Sequence, residues 1–182
     1  MKTEKPTTKI IAGKYKGKIL ELPSLDVTRS SKARLKESLF NVLQFDIIDK
    51  IFIESFAGSG SIGLEAISRG AKRAYFVELD RNSYQILLKN CKAVDMEKCQ
   101  TVQGNTFVQT PLFINFLKNS QDEIVLYIDP PFDYRDGMED IYEKSFTMIK
   151  NIDVDNIFMI IVEHVSSLEM PEVLGRFSLN KT

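Results

Sequence analysis

Asp129-Pro130-Pro131-Phe132 is the segment whose residue types and order imply the most specific chemistry. Two consecutive prolines fix φ and hold Asp129 and Pro130 in extended geometry. The Asp129 carboxylate and the Pro130 carbonyl then become two acceptors in a set arrangement. An exocyclic amine on a nucleobase carries two N–H donors to match them. Its lone pair is delocalised into the ring and is a poor nucleophile. Accepting both hydrogens favours a more pyramidal nitrogen and aims the lone pair at an electrophile. Phe132 offers a face on which a flat base can stack.

A second constellation lies earlier in the chain. Glu54-Ser55-Phe56-Ala57-Gly58-Ser59-Gly60-Ser61-Ile62-Gly63 places glycines where a backbone must turn sharply and approach a ligand closely. A helix starting there offers free N–H groups to an electronegative ligand atom. Gly58, Gly60 and Gly63 spell G-x-G-x-x-G, which dinucleotide-binding proteins also use. Glu78 follows Gly60 by 18 residues and can accept hydrogen bonds from both hydroxyls of a ribose. Glycines and glutamate together imply an adenosine-containing cofactor, either NAD or S-adenosylmethionine. A nicotinamide dehydrogenase has no evident use for residues 129–132, so the two constellations together favour the methyl donor.

These residues need elements to position them. Apolar stretches with glycines between them predict a hairpin over Lys9–Leu22. Leu35, Leu39, Val42 and Leu43 recur at helical spacing and predict a helix from about Ser31 to Gln44, capped by Ser30 or Ser31. Strand and helix then alternate. The strands are Ile51–Ile53, Arg73–Glu78, Gln100–Val102, Glu123–Ile128 and Ile157–Val162. The helices are Ser61–Arg69, Asn82–Val94 with Asn82 as cap, Phe107–Leu117 and Gly137–Ile149. Such alternation implies an α/β doubly wound, mostly parallel sheet with helices on both faces. Ligands of such sheets bind beyond the carboxyl ends of the strands. Residues 1–45 are expected to form a basic hairpin-helix extension, and residues 46–182 a single compact domain.

Composition bounds the alternatives. The 182 residues are 43% hydrophobic and 27% charged, ordinary for one globular domain. The polar N-terminus has no apolar core of a secretory signal, and no apolar run would span a bilayer, so a cytoplasmic location is expected. Cys91, Cys99 and the single histidine, His164, lack metal-ligand spacing, so no metal site is expected. The net charge of −1 conceals an asymmetry. Residues 1–36 hold ten Lys/Arg against three Asp/Glu, and the remainder holds 14 against 22. A basic arm on an acidic body suits a polyanionic partner docking at one end.

In order and spacing the chain resembles a known family over roughly residues 9–165, the bacterial 16S ribosomal RNA guanine-N2 methyltransferases of the class I S-adenosylmethionine-dependent type. The resemblance rests on Ile10-Ile11-Ala12-Gly13-Lys14-Tyr15-Lys16-Gly17 and Arg34-Leu35-Lys36-Glu37-Ser38-Leu39-Phe40-Asn41. It continues through Phe56-Ala57-Gly58-Ser59-Gly60, Gly63-Leu64-Glu65-Ala66, Ser68-Arg69-Gly70-Ala71, Phe76-Val77-Glu78 and Asp129-Pro130-Pro131-Phe132. It implies a Rossmann-like fold in which Glu54 and Phe56, Ala57, Gly58, Ser59 and Gly60 surround the methionine part of the cofactor. Glu78 then holds the ribose, and Leu79 packs on the adenine. Asn105 stands where the family usually has Asp against the adenine amino group, and its amide oxygen can accept the same bond. Asp129, Pro130, Pro131 and Phe132 become the catalytic set. Lys14, Lys16, Arg29, Lys32, Arg34 and Lys36 become contacts to the RNA backbone. The product would be S-adenosylhomocysteine. The partner would be 16S rRNA, naked or in a small-subunit particle, and the chain a monomer. The family fold closes with an antiparallel hairpin after the fifth strand, whereas residues 163–182 suffice for one further strand near Arg176–Leu179.

Three other readings stay open. A DNA adenine-N6 methyltransferase uses a similar Asp-Pro-Pro-aromatic arrangement, although no separate DNA-recognition domain is evident. A nicotinamide-dependent oxidoreductase would explain the glycines and Glu78 but not residues 129–132. A non-catalytic RNA-binding module would use the basic arm alone.

Overall fold

The computed structural model describes residues 6–23, 29–131 and 140–180, and for residues 29–33 the backbone alone. Five strands form one sheet: β3 (Ile51–Ser55), β4 (Arg73–Glu78), β5 (Cys99–Gln103), β6 (Ile124–Ile128) and β7 (Ile157–Val162). Their spatial order is β5-β4-β3-β6-β7, and every neighbouring pair is parallel. The expected α/β fold with helices on both faces is the observed one. The sheet's faces alternate along each strand, as a pleated backbone requires. On β3, Phe52 packs into a cluster with Phe40, Phe76, Leu87 and Tyr127. Ile51 and Ile53 point the other way, toward Leu126, Ile114 and Met148. Helices α1 (Arg29–Val42), α2 (Ser61–Ser68) and α3 (Arg81–Val94) cover the first face. Helices α4 (Thr106–Leu117) and α5 (Ile141–Lys150) cover the second. No helix among the described residues is long and apolar enough to cross a membrane.

The N-terminal hairpin pairs β1 (Thr7–Lys9) with β2 (Ile19–Glu21), so its pairing begins two residues before the expected start. Gly13 and Gly17 both take positive φ in the connection, and a Cβ on Gly13 would collide with the Ser68 backbone. The hairpin is fastened to α2 and α3 by buried polar side chains. Glu65 is fully buried and accepts from Ile11 N (2.8 Å), Ala12 N (3.0 Å) and Arg69 Nε (2.8 Å). Ser68 Oγ donates to Ala12 O (2.6 Å) and accepts from Tyr15 N (2.9 Å). Asn90 treats Glu21 as a strand neighbour would. Its Oδ1 accepts from Glu21 N and its Nδ2 donates to Glu21 O, both at 2.9 Å. Buried polar atoms must be satisfied, so these bonds fix where the hairpin sits.

Three local expectations are corrected. Helix α1 buries Lys36 and Phe40, and Leu43 is buried just past its end, while Leu35 is 46% and Val42 63% exposed. Of the four residues read at helical spacing, Leu43 is buried and Leu39 packs half-buried against the core, whereas Leu35 and Val42 are exposed and Lys36 and Phe40 turn inward. Lys36 is admitted to the interior because its ammonium lies 3.4 Å from Glu65 and donates to Lys9 O (2.9 Å). Burial lowers its pKa, with Glu65 opposing that shift. An inward-facing lysine cannot serve as a contact to RNA. Second, α3 is capped by Asp80, whose Oδ1 accepts from Ser83 N (2.8 Å), and not by Asn82, which lies in the first turn. Third, Ser30 and Ser31 lie inside α1, which starts at Arg29, and not at the position before its first residue.

After β7 the chain forms a small antiparallel pair, β8 (Val173–Leu174) with β9 (Phe177–Ser178). The second of these falls within the expected Arg176–Leu179 segment, but neither joins the five-stranded sheet. The helix expected from Gly137 starts at Ile141, directly after Asp140; residues 137–139 lie outside the described ones.

Glu65 generates a stability prediction. Glu65→Ala leaves two backbone N–H groups and the Arg69 Nε–H without this acceptor and the buried Lys36 without its counter-charge. It should destabilise the fold by about 3–5 kcal/mol. Urea unfolding of the variant reads this directly, and a loss below about 1 kcal/mol would mean the hairpin is held by apolar contact alone.

Candidate functional site

The sheet order reverses between β3 and β6, since β3 connects outward to β4 while β6 lies on its other edge. A ligand crevice is expected beyond the carboxyl ends of the strands at such a point. A cleft of about 2510 Å³ opens there, lined among others by Glu54, Glu78, Asn105, Asp129 and Glu163. The structure therefore gathers residues from four strand ends and one loop into a single crevice.

The glycine loop begins with strain. Phe56 adopts φ 62°, a left-handed conformation unusual for a bulky side chain, and its ring packs edge-on against Phe107 at 5.7 Å. Ala57 N donates to Val77 O (2.8 Å), tying the loop to β4. Ser59 is buried, and its carbonyl accepts from Asn90 Nδ2 (2.9 Å). The three glycines of the motif do different work. A Cβ on Gly58 would meet nothing within 4 Å, and this residue lines the cleft. A Cβ on Gly60 would strike Leu87 and the Phe76 ring. One on Gly63 would strike Phe76 and come within 2.9 Å of Glu54 Oε2. Gly58 thus serves the cleft, whereas Gly60 leaves room for Leu87 of α3 and Gly63 lets α2 lie close to Phe76 of the sheet.

Two carboxylates brace this loop from beneath. Glu78 Oε2 accepts from Gly58 N (2.6 Å), and its Oε1 accepts from Asp80 N (2.7 Å). Burial raises its pKa, and the N–H groups of Asp80 and Gly58 oppose the rise. Glu54 is buried, and its Oε2 accepts from Gly63 N (2.8 Å) in the first turn of α2. Burial pushes the Glu54 carboxyl up to about 8, the Gly63 N–H opposes this, and the Asp129 charge adds to it. Leu79 is 60% exposed at the cleft, the only apolar member of the Glu78–Ser83 stretch. Asn105 caps α4, with its Oδ1 accepting from Phe107 N (2.9 Å). Its amide oxygen is therefore shared with the helix, a duty that the sequence alone does not disclose.

Asp129 follows β6 and is half-buried at the cleft, Pro130 is buried and Pro131 half-buried. Phe132 lies outside the described residues. Two partners of this corner escaped the sequence reading. Tyr127, two residues before Asp129, is almost wholly buried and donates its hydroxyl to Glu163 Oε1. Burial raises its pKa well above the ordinary value, with the charges of Asp129 and Glu163 adding to the rise. Glu163 is the residue just after β7. The rule that ligand contacts follow parallel strands would have found it.

The basic residues are less gathered. Lys14, Lys16 and Arg34 are exposed, while Arg29 is described only as backbone in α1. The Lys14 ammonium lies over the Tyr15 ring at 4.9 Å. The hairpin borders the cleft through Thr7–Lys9 and Ile19, not through its lysine-bearing turn. Lys14 and Lys16 therefore stand away from the crevice, and Lys9, not singled out from sequence, borders it.

With this geometry in place, the likeness to known proteins is informative. The model of a family described as Conserved hypothetical protein 95 matches residues 8–182. A Haemophilus influenzae protein named ribosomal RNA small subunit methyltransferase D is 38% identical over 133 residues, 71% of this chain and 66% of that protein. The Escherichia coli protein of the same name is 34% identical over 125 residues, 68% of this chain and 60% of its own. The chain thus spans just under two thirds of the length of these curated relatives. A solved putative methylase from Haemophilus influenzae is 30% identical, with a TM-score of 0.59 over 92% of this chain and 88% of that one.

The raised Glu54 carboxyl generates a pH prediction. Between its ordinary value of 4.5 and about 8, the folded chain keeps a proton there that the unfolded chain has lost. Folding stability should fall as pH rises through that window. Glu54→Gln, neutral at every pH, should flatten the slope of urea midpoint against pH, with Glu78 supplying a residual slope of the same sign. Equal slopes in the two proteins would mean that Glu54 is already ionised in the fold.

Proposed function

The chain belongs to the Conserved hypothetical protein 95 family, and from that premise we propose that it methylates the exocyclic N2 amine of a guanine in small-subunit (16S) ribosomal RNA, with S-adenosylmethionine as methyl donor. The observation that carries this reading is the meeting of Asp129-Pro130-Pro131 with the Gly58 loop and Glu78 in one cleft. Neither constellation alone separates a methyl donor from a dinucleotide. Their sharing of a crevice supplies an acceptor for an amine beside a place for an adenosine.

The residues present fit S-adenosylmethionine. The open Cβ position of Gly58 gives the backbone room for close approach. Glu78 is held by the N–H groups of Gly58 in the loop and of Asp80 after β4, and a carboxylate has further lone pairs for two ribose hydroxyls. Leu79 exposes apolar surface for a purine, and Asn105 lies at the same crevice. Glu54 and Phe56 to Gly60 form the end assigned to the methionine portion. The cofactor supplies an electrophilic methyl carbon on a sulfonium and leaves as S-adenosylhomocysteine. The chain's own part is to orient the base. Asp129 and the Pro130 carbonyl accept the two amine hydrogens, concentrating the nitrogen lone pair, and Phe132 stacks the ring. As the N–C bond forms, one amine proton passes to Asp129 or to solvent.

Lys14, Lys16, Arg29 and Arg34 are assigned to phosphate neutralisation, which would make binding fall steeply with salt. The substrate is 16S rRNA, naked or in a small-subunit particle, and the enzyme acts in the cytoplasm as a monomer.

The test uses ribosomal RNA and small subunits from a strain lacking the modification, with labelled S-adenosylmethionine and nucleoside mapping. Label in N2-methylguanosine is expected, and Asp129→Ala should lower turnover by about 100-fold or more while RNA affinity stays nearly unchanged. S-adenosylhomocysteine, and not NAD, should raise the melting temperature. Unchanged turnover in the Asp129 variant, or label in N6-methyladenosine, would overturn the reading.

A further inference from the structure

Resting on the guanine-amine reading above, we propose that Glu163 determines base specificity by accepting the N1–H of guanine beside Asp129, which accepts from the N2 amine. The register places the two carboxylates together. Ile128 pairs with Val162, and Glu163 N donates to Ile128 O (2.9 Å), so the β6–β7 ladder runs one residue past β7. Asp129 and Glu163 are the next residues on these adjacent parallel strands and extend from the same face as Tyr127. The Tyr127 hydroxyl confirms that geometry by donating to Glu163 Oε1 from two residues behind Asp129. Both carboxylates line the same cleft.

Neighbouring strands lie about 4.8 Å apart, a spacing on which two carboxylates can converge on adjacent donors of one base edge. Guanine presents such an edge, with N1–H next to the N2 amine. Adenine presents an amine next to a bare N1 lone pair. A carboxylate facing that lone pair would lose a hydrogen bond and meet repulsion, and sites built to accept a hydrogen reject analogues that lack it. Tyr127 acts as a positioning residue, because its hydroxyl donates to Oε1 of Glu163 and so restrains that carboxylate. The pair thus reads the atom next to the one that is methylated. This distinguishes guanine N2 from adenine N6 without a separate recognition domain.

The experiment compares two versions of the RNA methylated in the mapping assay, on naked fragment or reconstituted subunit, whichever is modified there. One carries guanosine at the target and the other carries 2-aminopurine, which keeps the 2-amino group but has no N1–H. Wild type should favour guanosine by about 100-fold in kcat/KM. Glu163→Gln, whose amide can turn its NH2 to a bare N1, should narrow that ratio at least ~10-fold. Tyr127→Phe should narrow it less and in the same direction. Melting temperature and S-adenosylhomocysteine binding establish that both variants are folded. A ratio unchanged in Glu163→Gln, or no wild-type preference for guanosine, would overturn this role while leaving the methyltransferase reading standing. Absence of any methylation by wild type would overturn that reading and this one with it.

Discussion

Parallel pairing on both edges of β3 is the constraint from which the site follows. β4 and β6 run in the same direction as β3, so Glu54, Glu78 and Asp129 all arrive at the same edge of the sheet. An antiparallel neighbour would have sent one of them to the opposite end. The connection from β3 leaves through α2 toward β4, which keeps the crevice between β3 and β6 clear of helix. The sheet thus supplies a row of strand ends whose first non-strand residues converge without long-range coordination.

Convergence brings negative charges together, and the fold has to hold them. Glu54, Tyr127, Asp129 and Glu163 share one corner, with Glu54 and Tyr127 both pushed toward their neutral forms. Backbone N–H groups offset part of the cost. Gly63 serves Glu54, and Gly58 and Asp80 serve Glu78. The glycine loop therefore has two jobs. It leaves room for a ligand at Gly58, and it donates hydrogen bonds to the carboxylates beneath it. Lys36 lies behind this arrangement, close enough to lower the Glu54 pKa and salt-bridged to Glu65.

The N-terminal hairpin is part of the same construction. Asn90 bridges β2 to Ser59 of the glycine loop, so displacement of the hairpin would pull on the loop itself. Glu65 and Ser68 hold the other end of the hairpin against α2. The hairpin thus borders the cleft while being tied to two of its walls, by polar bonds that are costly to break once buried. The segment reads from sequence as a basic arm. Its inner face is a set of docked backbone groups.

The chain's own order of residues determined the alternation of strands and helices, the turn at Gly58 to Gly63 and the two-proline exit after β6. These are local properties: period of apolar residues, freedom of glycine, rigidity of proline. The strands Arg73–Glu78 and Ile157–Val162 were legible to the residue for that reason. Only the tertiary structure decided which charged residues turn inward. Lys36 and Glu65 look like surface residues of amphipathic helices until each becomes the other's partner. Leucine spacing then misplaces Leu35 and Val42, because an ion pair can occupy a position that hydrophobicity assigns to solvent. The pairing of Glu163 with Tyr127 was invisible for a related reason. It crosses 36 residues and exists only because β6 and β7 lie side by side in one register. Periodicity along a chain reports which face a residue takes, but not what stands opposite it.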